Sequence, residues 1–292
     1  MRRISIVSML LLLTAALNAQ NFVSTVPANR NVILEEFTGS YCQYCPEGHK
    51  LAKELAAAHP DNIFIVNLHA GTYATSDFET TDGNAIHSGF VVSSFPSGLV
   101  NRMTEKSISR GEWGASIQQQ MSQAAECNIA GTVSINPETR LARITVEVYY
   151  TADSKVENNY LTVIMLQDSI LGSQSGTEYN QEQMVGEQYC HMHVYRNTIT
   201  DKWGDAISPT TAGTLITETY KYTIPESIGS PNGVDVDLNN VHFLAFVTEH
   251  QSSGAKTMPV LNVCKLEHVE HGLSVEENVE STSCIYPNPV KD

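Results

Sequence analysis

The chain is poor in positive charge. Seventeen lysines and arginines stand against 32 acidic residues, for a formal net charge of −15. Such a surface repels nucleic acid and anionic membranes, and no basic stripe interrupts it. No nucleic-acid partner is expected. Long apolar runs are also missing beyond the first twenty residues, so the mature chain is expected to have no transmembrane helix. No 20–50-residue repeat is present, which argues against a solenoid or propeller. Cysteines number six, and only Cys42 and Cys45 stand close together. A zinc clip built on two close pairs therefore lacks its second pair. What is present suits a folded protein. Apolar residues make up 41% and charged residues 17%, so a core can form and wholesale disorder is excluded. A length of 292 residues suits about two domains.

The opening "MRRISIVSMLLLLTAALNAQ" reads as a secretory signal. Arg2 and Arg3 form its positive end, Ile4 to Leu17 are mostly apolar, and Leu17-Asn18-Ala19 precede a cut near Gln20. Loss of both arginines takes the charge from −15 to −17. No cysteine directly follows the cut, which argues against a lipid anchor. Export permits disulfides among Cys42, Cys45, Cys127, Cys190, Cys264 and Cys284, and their connectivity does not follow from spacing.

"NVILEEFT" predicts a buried strand over Val32 to Phe37. "CPEGHKLAKELAAAH" predicts a helix, with Leu51, Leu55 and Ala58 at helical spacing and Pro46 in its first turn. "NIFIVNLHAG" predicts a second buried strand, completing a parallel βαβ unit. A polar loop with a short helix follows. "FPSGLVNR" then turns into a short strand, and "EWGASIQQQMSQAAE" forms an amphipathic helix with Trp113, Ile117, Met121 and Ala124 on one face. This α/β unit closes near residue 126. Beyond it, about seven short β-branched and aromatic segments separated by turns predict an antiparallel β-sandwich. The run "GSQSGTEYNQEQMVGEQ" is a long polar insertion between them.

Cys42-Gln43-Tyr44-Cys45 lies between strand and helix, where three chemistries compete. A zinc site would have to recruit His49, His59 or His69. A structural disulfide would close so short a loop that it constrains little of the unfolded chain. A redox dithiol has a mechanism. The helix N-terminus offers unpaired N–H groups and the positive end of its dipole, which favours a thiolate at Cys42. Cys45 then resolves the mixed disulfide.

"VILEEFTGSYCQYC" resembles the active-site strand and turn of the thioredoxin fold. The resemblance implies that Glu36, six positions before Cys42, assists proton transfer beneath the dithiol. It aligns Tyr41 with an aromatic that usually precedes the first cysteine. It also implies that Pro96 is a cis-proline facing the pair. Three departures stand out. Pro46 follows the second cysteine rather than lying between the two, the usual first βα unit is missing, and the long stretch from Cys45 to Pro96 implies an insertion able to cover the site. The mature chain as a whole resembles the outer membrane protein 28-related family of Bacteroidetes, through "NVILEEFTGSYCQYCPEGH", "FPSGLVNR", "HMHVYR" and "DKWGDAI". The tail "IYPNPVKD", through Tyr286, Pro287, Asn288 and Pro289, resembles the opening of a type IX secretion sorting domain.

The resulting division is a signal peptide over 1–19, a thioredoxin-like α/β domain over 30–126, and an antiparallel β-sandwich over 127–271. Residues 272–292 form a linker and the start of a truncated sorting domain. The expected function is thiol–disulfide exchange at the cell surface or outer membrane, with the periplasm as the alternative location. Cys42 would attack, Cys45 resolve, Glu36 carry the proton and Pro96 shape the substrate contact. Partners would be protein thiols or disulfides and the type IX machinery, with no cofactor and no metal. The rival is a surface binding or adhesion protein that keeps the fold without turnover. Alternation places His191 and His193 on one strand face, where they form either a shared metal site or a polar sheet surface; the latter is favoured. Cys127, Cys190 and Cys264 read as buried thiols or a cross-strand disulfide.

Overall fold

The computed structural model describes residues 22–75, 77–229, 232–249 and 258–270. The signal segment, Cys284 and the sorting-like tail lie outside them. The first half runs β1 (Val32–Thr38), α1 (Cys45–Ala58), β2 (Ile63–His69), α2 (Thr81–Gly89), β3 (Ser97–Val100), β4 (Ile108–Ser109) and α3 (Arg110–Met121). The β1-α1-β2 unit is parallel, with Val32 opposite Ile63 and Thr38 opposite His69. All seven residues of β1 are buried, so it is an internal strand. Pro46 sits in the first turn of α1 as its fixed φ favours. At the start of α3 the Glu112 carboxylate accepts from the Ser109 backbone N–H at 3.1 Å.

The second half contains β5 (Cys127–Ile135), β6 (Leu141–Tyr150), β7 (Asn159–Gln167), β8 (Ile170–Gly172), β9 (Met184–Val185), β10 (Gln188–His191) and β11 (Val194–Thr198). It continues with β12 (Asp205–Ile207), β13 (Leu215–Thr223), β14 (Ser227–Ile228), β15 (Val234–Asp235), β16 (Val241–Glu249), β17 (Val260–Lys265) and β18 (Glu267–His268). The fold is mixed α/β and β-rich.

Among the described residues, nine strands form one sheet in the order β17-β16-β7-β11-β2-β1-β3-β4, with β12 also on β7. The sheet therefore runs through strands from both sides of residue 126. The join is between β11 and β2, which pair in parallel at Val194 and Asn67. Thus the edge of β2, which no upstream strand covers, is taken by a downstream one.

Three cores fix this frame. Alternate residues of β1 face opposite ways. Val32 and Leu34 pack with Ala52 of α1 and Trp113 and Ile117 of α3. Ile33 and Phe37 pack instead with Ile86, Phe90, Leu166 and Phe246. The third core lies between β7-β16-β17 and a four-stranded sheet ordered β13-β6-β5-β18. There Ile144, Val146 and Val148 meet Val163, Met165, Phe243 and Ala245. Of the residues expected on the α3 face, Trp113 and Ile117 are buried, while Ala124 lies past the helix and bridges to Asn29. On α1, Ala52 is buried, Leu51 and Leu55 are half-buried, and Ala58 is exposed.

Candidate functional site: a covered dithiol

Cys42 and Cys45 form a disulfide, with Cα atoms 5.4 Å apart. Cys42 lies in the turn after β1, where its N–H donates to the Gly39 carbonyl at 3.0 Å. Cys45 is the first residue of α1, and Tyr44 at the N-cap supplies no capping side chain. The backbone N–H groups of the first turn are thus left for another acceptor. The other described cysteines, Cys127, Cys190 and Cys264, are free. Burial pushes the Cys127 and Cys264 thiols up to about 12, so both are inert core groups.

Glu36 lies on the α1 face of β1 and is fully buried. Neither carboxyl oxygen has a hydrogen-bond partner. A Cβ added to Gly48, on the first turn of α1, would overlap Glu36 Oε1 and crowd the Pro96 ring. Glycine is what lets helix, carboxyl and proline meet there. Burial raises the Glu36 carboxyl well above the usual range, with Arg110 acting weakly the other way. The Phe95–Pro96 peptide is cis.

Beside Glu36 stands His49, with Nε2 at 4.0 Å from Oε1. Its Nε2 is 2.8 Å from Thr38 Oγ1 and its Nδ1 is 2.9 Å from the Tyr189 hydroxyl. Burial, reinforced by His191 and His193, pushes the His49 imidazole down to about 3, so it is neutral at physiological pH. The Tyr189 hydroxyl donates to Gln183 Oε1 at 2.7 Å and accepts from Asn180 Nδ2 at 3.1 Å. A polar chain therefore runs from the space beside Glu36 to the 180s. No sequence signal singled out His49 or Tyr189 for this. They are 140 residues apart and meet only in the fold.

The polar insertion after β8 lies over the dithiol. Gln174 Nε2 donates to the Cys42 carbonyl at 3.1 Å and to the Gly39 carbonyl at 3.2 Å. The Ser175 N–H donates to the Ser40 carbonyl at 2.8 Å. Gln43 Nε2 donates to Glu178 Oε1 at 2.6 Å, and Tyr44 and Tyr179 rings lie 5.3 Å apart. Beneath this lid Cys42 is 3% exposed and Cys45 is 0% exposed. The expected insertion before Pro96 contributes on another side. The one-turn 3₁₀ helix Gly71–Tyr73 presents the Tyr73 carbonyl to the Tyr41 N–H at 3.0 Å. Most of the cover thus comes from downstream rather than from that insertion. Around it Tyr41, Tyr44, Tyr73 and Tyr179 are exposed. Tyr41 also borders an open cavity of about 550 Å³ lined by Phe78, Leu171 and Val234 among others.

His191 and His193 do not share a face, contrary to the strand expectation. His193 lies between β10 and β11 with φ +53°, which breaks the alternation. His191 packs edge-on against His69, with ring centroids 5.2 Å apart, and 4.7 Å from Phe78. His193 turns instead toward Asp168 and His242.

Comparisons with known proteins bear on the fold. HBP35 of Porphyromonas gingivalis aligns at TM-score 0.65 and 20% identity, covering 89% of this chain and 82% of its own. Protein AGR_C_4864 from Agrobacterium tumefaciens aligns at TM-score 0.53 and 8% identity, covering 84% and 98%. A domain of the outer membrane lipoprotein Omp28 from Porphyromonas gingivalis aligns at TM-score 0.32 and 16% identity, covering 50% and 90%. No curated protein matches the chain. The family described as outer membrane protein Omp28 matches residues 83–270. This match begins downstream of the dithiol and takes in Pro96, the lid and the second half. Family membership supports outer-membrane association; no helix among the described residues is long and apolar enough to cross a membrane. The chain belongs to the outer membrane protein Omp28 family.

Proposed function

We propose that this chain is an exported thiol–disulfide exchange protein of the outer membrane or cell surface, working through Cys42 and Cys45. The observation that carries this reading is a closed Cys42–Cys45 pair at the start of α1, with an orphaned buried carboxyl against the same helix turn. A buried polar group without a partner is costly and calls for a reason. Proton transfer to and from Cys45 supplies one.

In the oxidising direction a substrate thiolate attacks Cys42 Sγ. The new bond is a mixed disulfide, and the Cys42–Cys45 bond breaks. Cys45 leaves as a thiolate and takes the Glu36 proton. A second substrate thiolate then attacks the substrate sulfur of the mixed disulfide. Cys42 is released as a thiolate, and the substrate gains a disulfide while the protein ends reduced, with Cys45 as a thiol and Glu36 ionised. The reducing direction runs the same steps backward, with Cys42 thiolate as attacker. Pro96 shapes the substrate contact beside the pair. The exposed tyrosines suit recognition of an unfolded polypeptide, since they offer rigid amphipathic area. The two facing sheets are read as the β-sandwich expected from the sequence, carrying the lid. The tail "IYPNPVKD" is read as the start of a type IX sorting signal.

The rival reading, a surface binding protein with an idle dithiol, draws on the depth of the cover over Cys42. One experiment separates them. Reduced Cys45→Ser protein, mixed with a disulfide-containing polypeptide, should accumulate a mixed disulfide through Cys42 that non-reducing mass spectrometry detects. Cys42→Ser should accumulate none. Equal absence from both variants would remove the exchange activity.

A further inference from the structure

We propose that Asp168, His193 and His242 form a binding site for a divalent transition metal of the zinc class, separate from the dithiol. Three neighbouring strands deliver these residues to one end of the large sheet. Asp168 directly follows β7. His242 is the second residue of β16, whose Val241 pairs with Gln167. His193 immediately precedes β11, whose Val194 also pairs with Gln167.

The ligand atoms are already close. His193 Nδ1 is 3.2 Å from Asp168 Oδ1, and His242 Nδ1 is 3.5 Å from Asp168 Oδ2. One ligand atom from each residue falls within 4.8 Å of the others. A tetrahedral zinc ion holds nitrogen and oxygen ligands at about 2.0–2.2 Å, which sets ligand–ligand edges of roughly 3.3–3.6 Å. Each imidazole nitrogen is near that distance from one oxygen of the Asp168 carboxylate, His193 from Oδ1 and His242 from Oδ2, so an ion is held either by both oxygens or by one after a small turn of the carboxylate.

The backbone holds the set in place. The His193 N–H donates to Asp168 Oδ1 at 2.6 Å, and the His193 carbonyl accepts from the Asn67 N–H at 2.8 Å. The Asp168 N–H donates to the Asn240 carbonyl at 2.9 Å. The left-handed φ of +53° at His193 is rare for a residue with a Cβ, and here it accompanies the turn of the ring toward Asp168 and away from His191. Exposure decides access: the side chains are 13%, 27% and 10% exposed for Asp168, His193 and His242. An ion can enter, and solvent or a partner's side chain can complete its shell. Two imidazoles and one carboxylate suit a borderline metal better than magnesium or calcium, which prefer all-oxygen sets.

The test uses the full exported chain, stripped of metal with a chelator and titrated with Zn²⁺ by calorimetry. One site per chain is expected, with binding weakened at least tenfold in Asp168→Asn and in His242→Gln. Zn²⁺ should raise the melting temperature of the parent and not of the variants. Cu²⁺ added to the unsubstituted chain gives a readout that needs no variant: its electron paramagnetic resonance should show coupling to two imidazole nitrogens. Absence of Zn²⁺ binding overturns the proposal. So does binding unchanged by both substitutions, or a Cu²⁺ signal without imidazole coupling. A triad that serves only as a hydrogen-bonded clamp would give the first of these results.

Discussion

Gly176→Val is expected to speed reduction of the Cys42–Cys45 disulfide by dithiothreitol on the order of 100-fold. Gly176 has φ +73°, and a Cβ there would overlap the Gln43 carbonyl, so the lid cannot stay seated. Besides the exposed Gln43–Glu178 bond, three hydrogen bonds seat the lid, from Gln174 to two carbonyls and from Ser175 to Ser40. At about 1 kcal/mol each they hold the closed state by about 3 kcal/mol. Each 1.36 kcal/mol corresponds to about a tenfold change in rate, which gives the figure above. Stopped-flow reduction followed by thiol labelling measures it. A rate equal to that of the unsubstituted chain would show that the lid does not limit access. The melting temperature serves as the control for a change confined to the lid.

Arg102→Met should cost about 3–5 kcal/mol of stability, read as a lower midpoint in urea. Arg102 Nε and Nη2 donate to the two oxygens of Glu35 at 2.7 and 2.6 Å. The side chains are 1% and 2% exposed. Removing one partner of such a pair strands the other charge in the interior. The guanidinium also lies 5.8 Å from the Phe90 ring centroid and 5.1 Å from that of Phe246, so it ties β1 to the residue that ends α2 and to β16. Replacing both partners, as Glu35→Leu with Arg102→Met, should recover much of the loss, because no charge is left unpaired. A loss under about 1 kcal/mol for Arg102→Met alone would contradict this reading of the pair.

The legible parts of this molecule were those with local signals. Short apolar runs and helical spacing sufficed for β1, α1 and β2, because a strand buried on both faces and a helix buried on one each carry that pattern locally. The placement of Cys42 and Cys45 at that junction was equally visible. Glu36 was legible only through its offset from Cys42. What stayed hidden depends on distant pairing. The lid has no periodic pattern and reaches Cys42 across 132 residues. The single sheet running through both halves hinges on one parallel bridge, Val194 to Asn67, which no composition change announces. His193 reads as an ordinary strand residue until its φ is known. Asp168 and His242 become its neighbours only once β7, β11 and β16 lie side by side.

The central claim is that Cys42 and Cys45 exchange electrons rather than staple a turn. Equilibrating the mature chain across glutathione redox buffers, quenching with an alkylating agent and counting labelled cysteines by mass tests it most directly. Equilibrium does not depend on how slowly the lid opens. Exchange predicts a reversible two-electron transition of this pair within the range of known exchange proteins, about −120 to −270 mV. A pair that stays closed to below about −300 mV would behave as a structural disulfide and would contradict the claim.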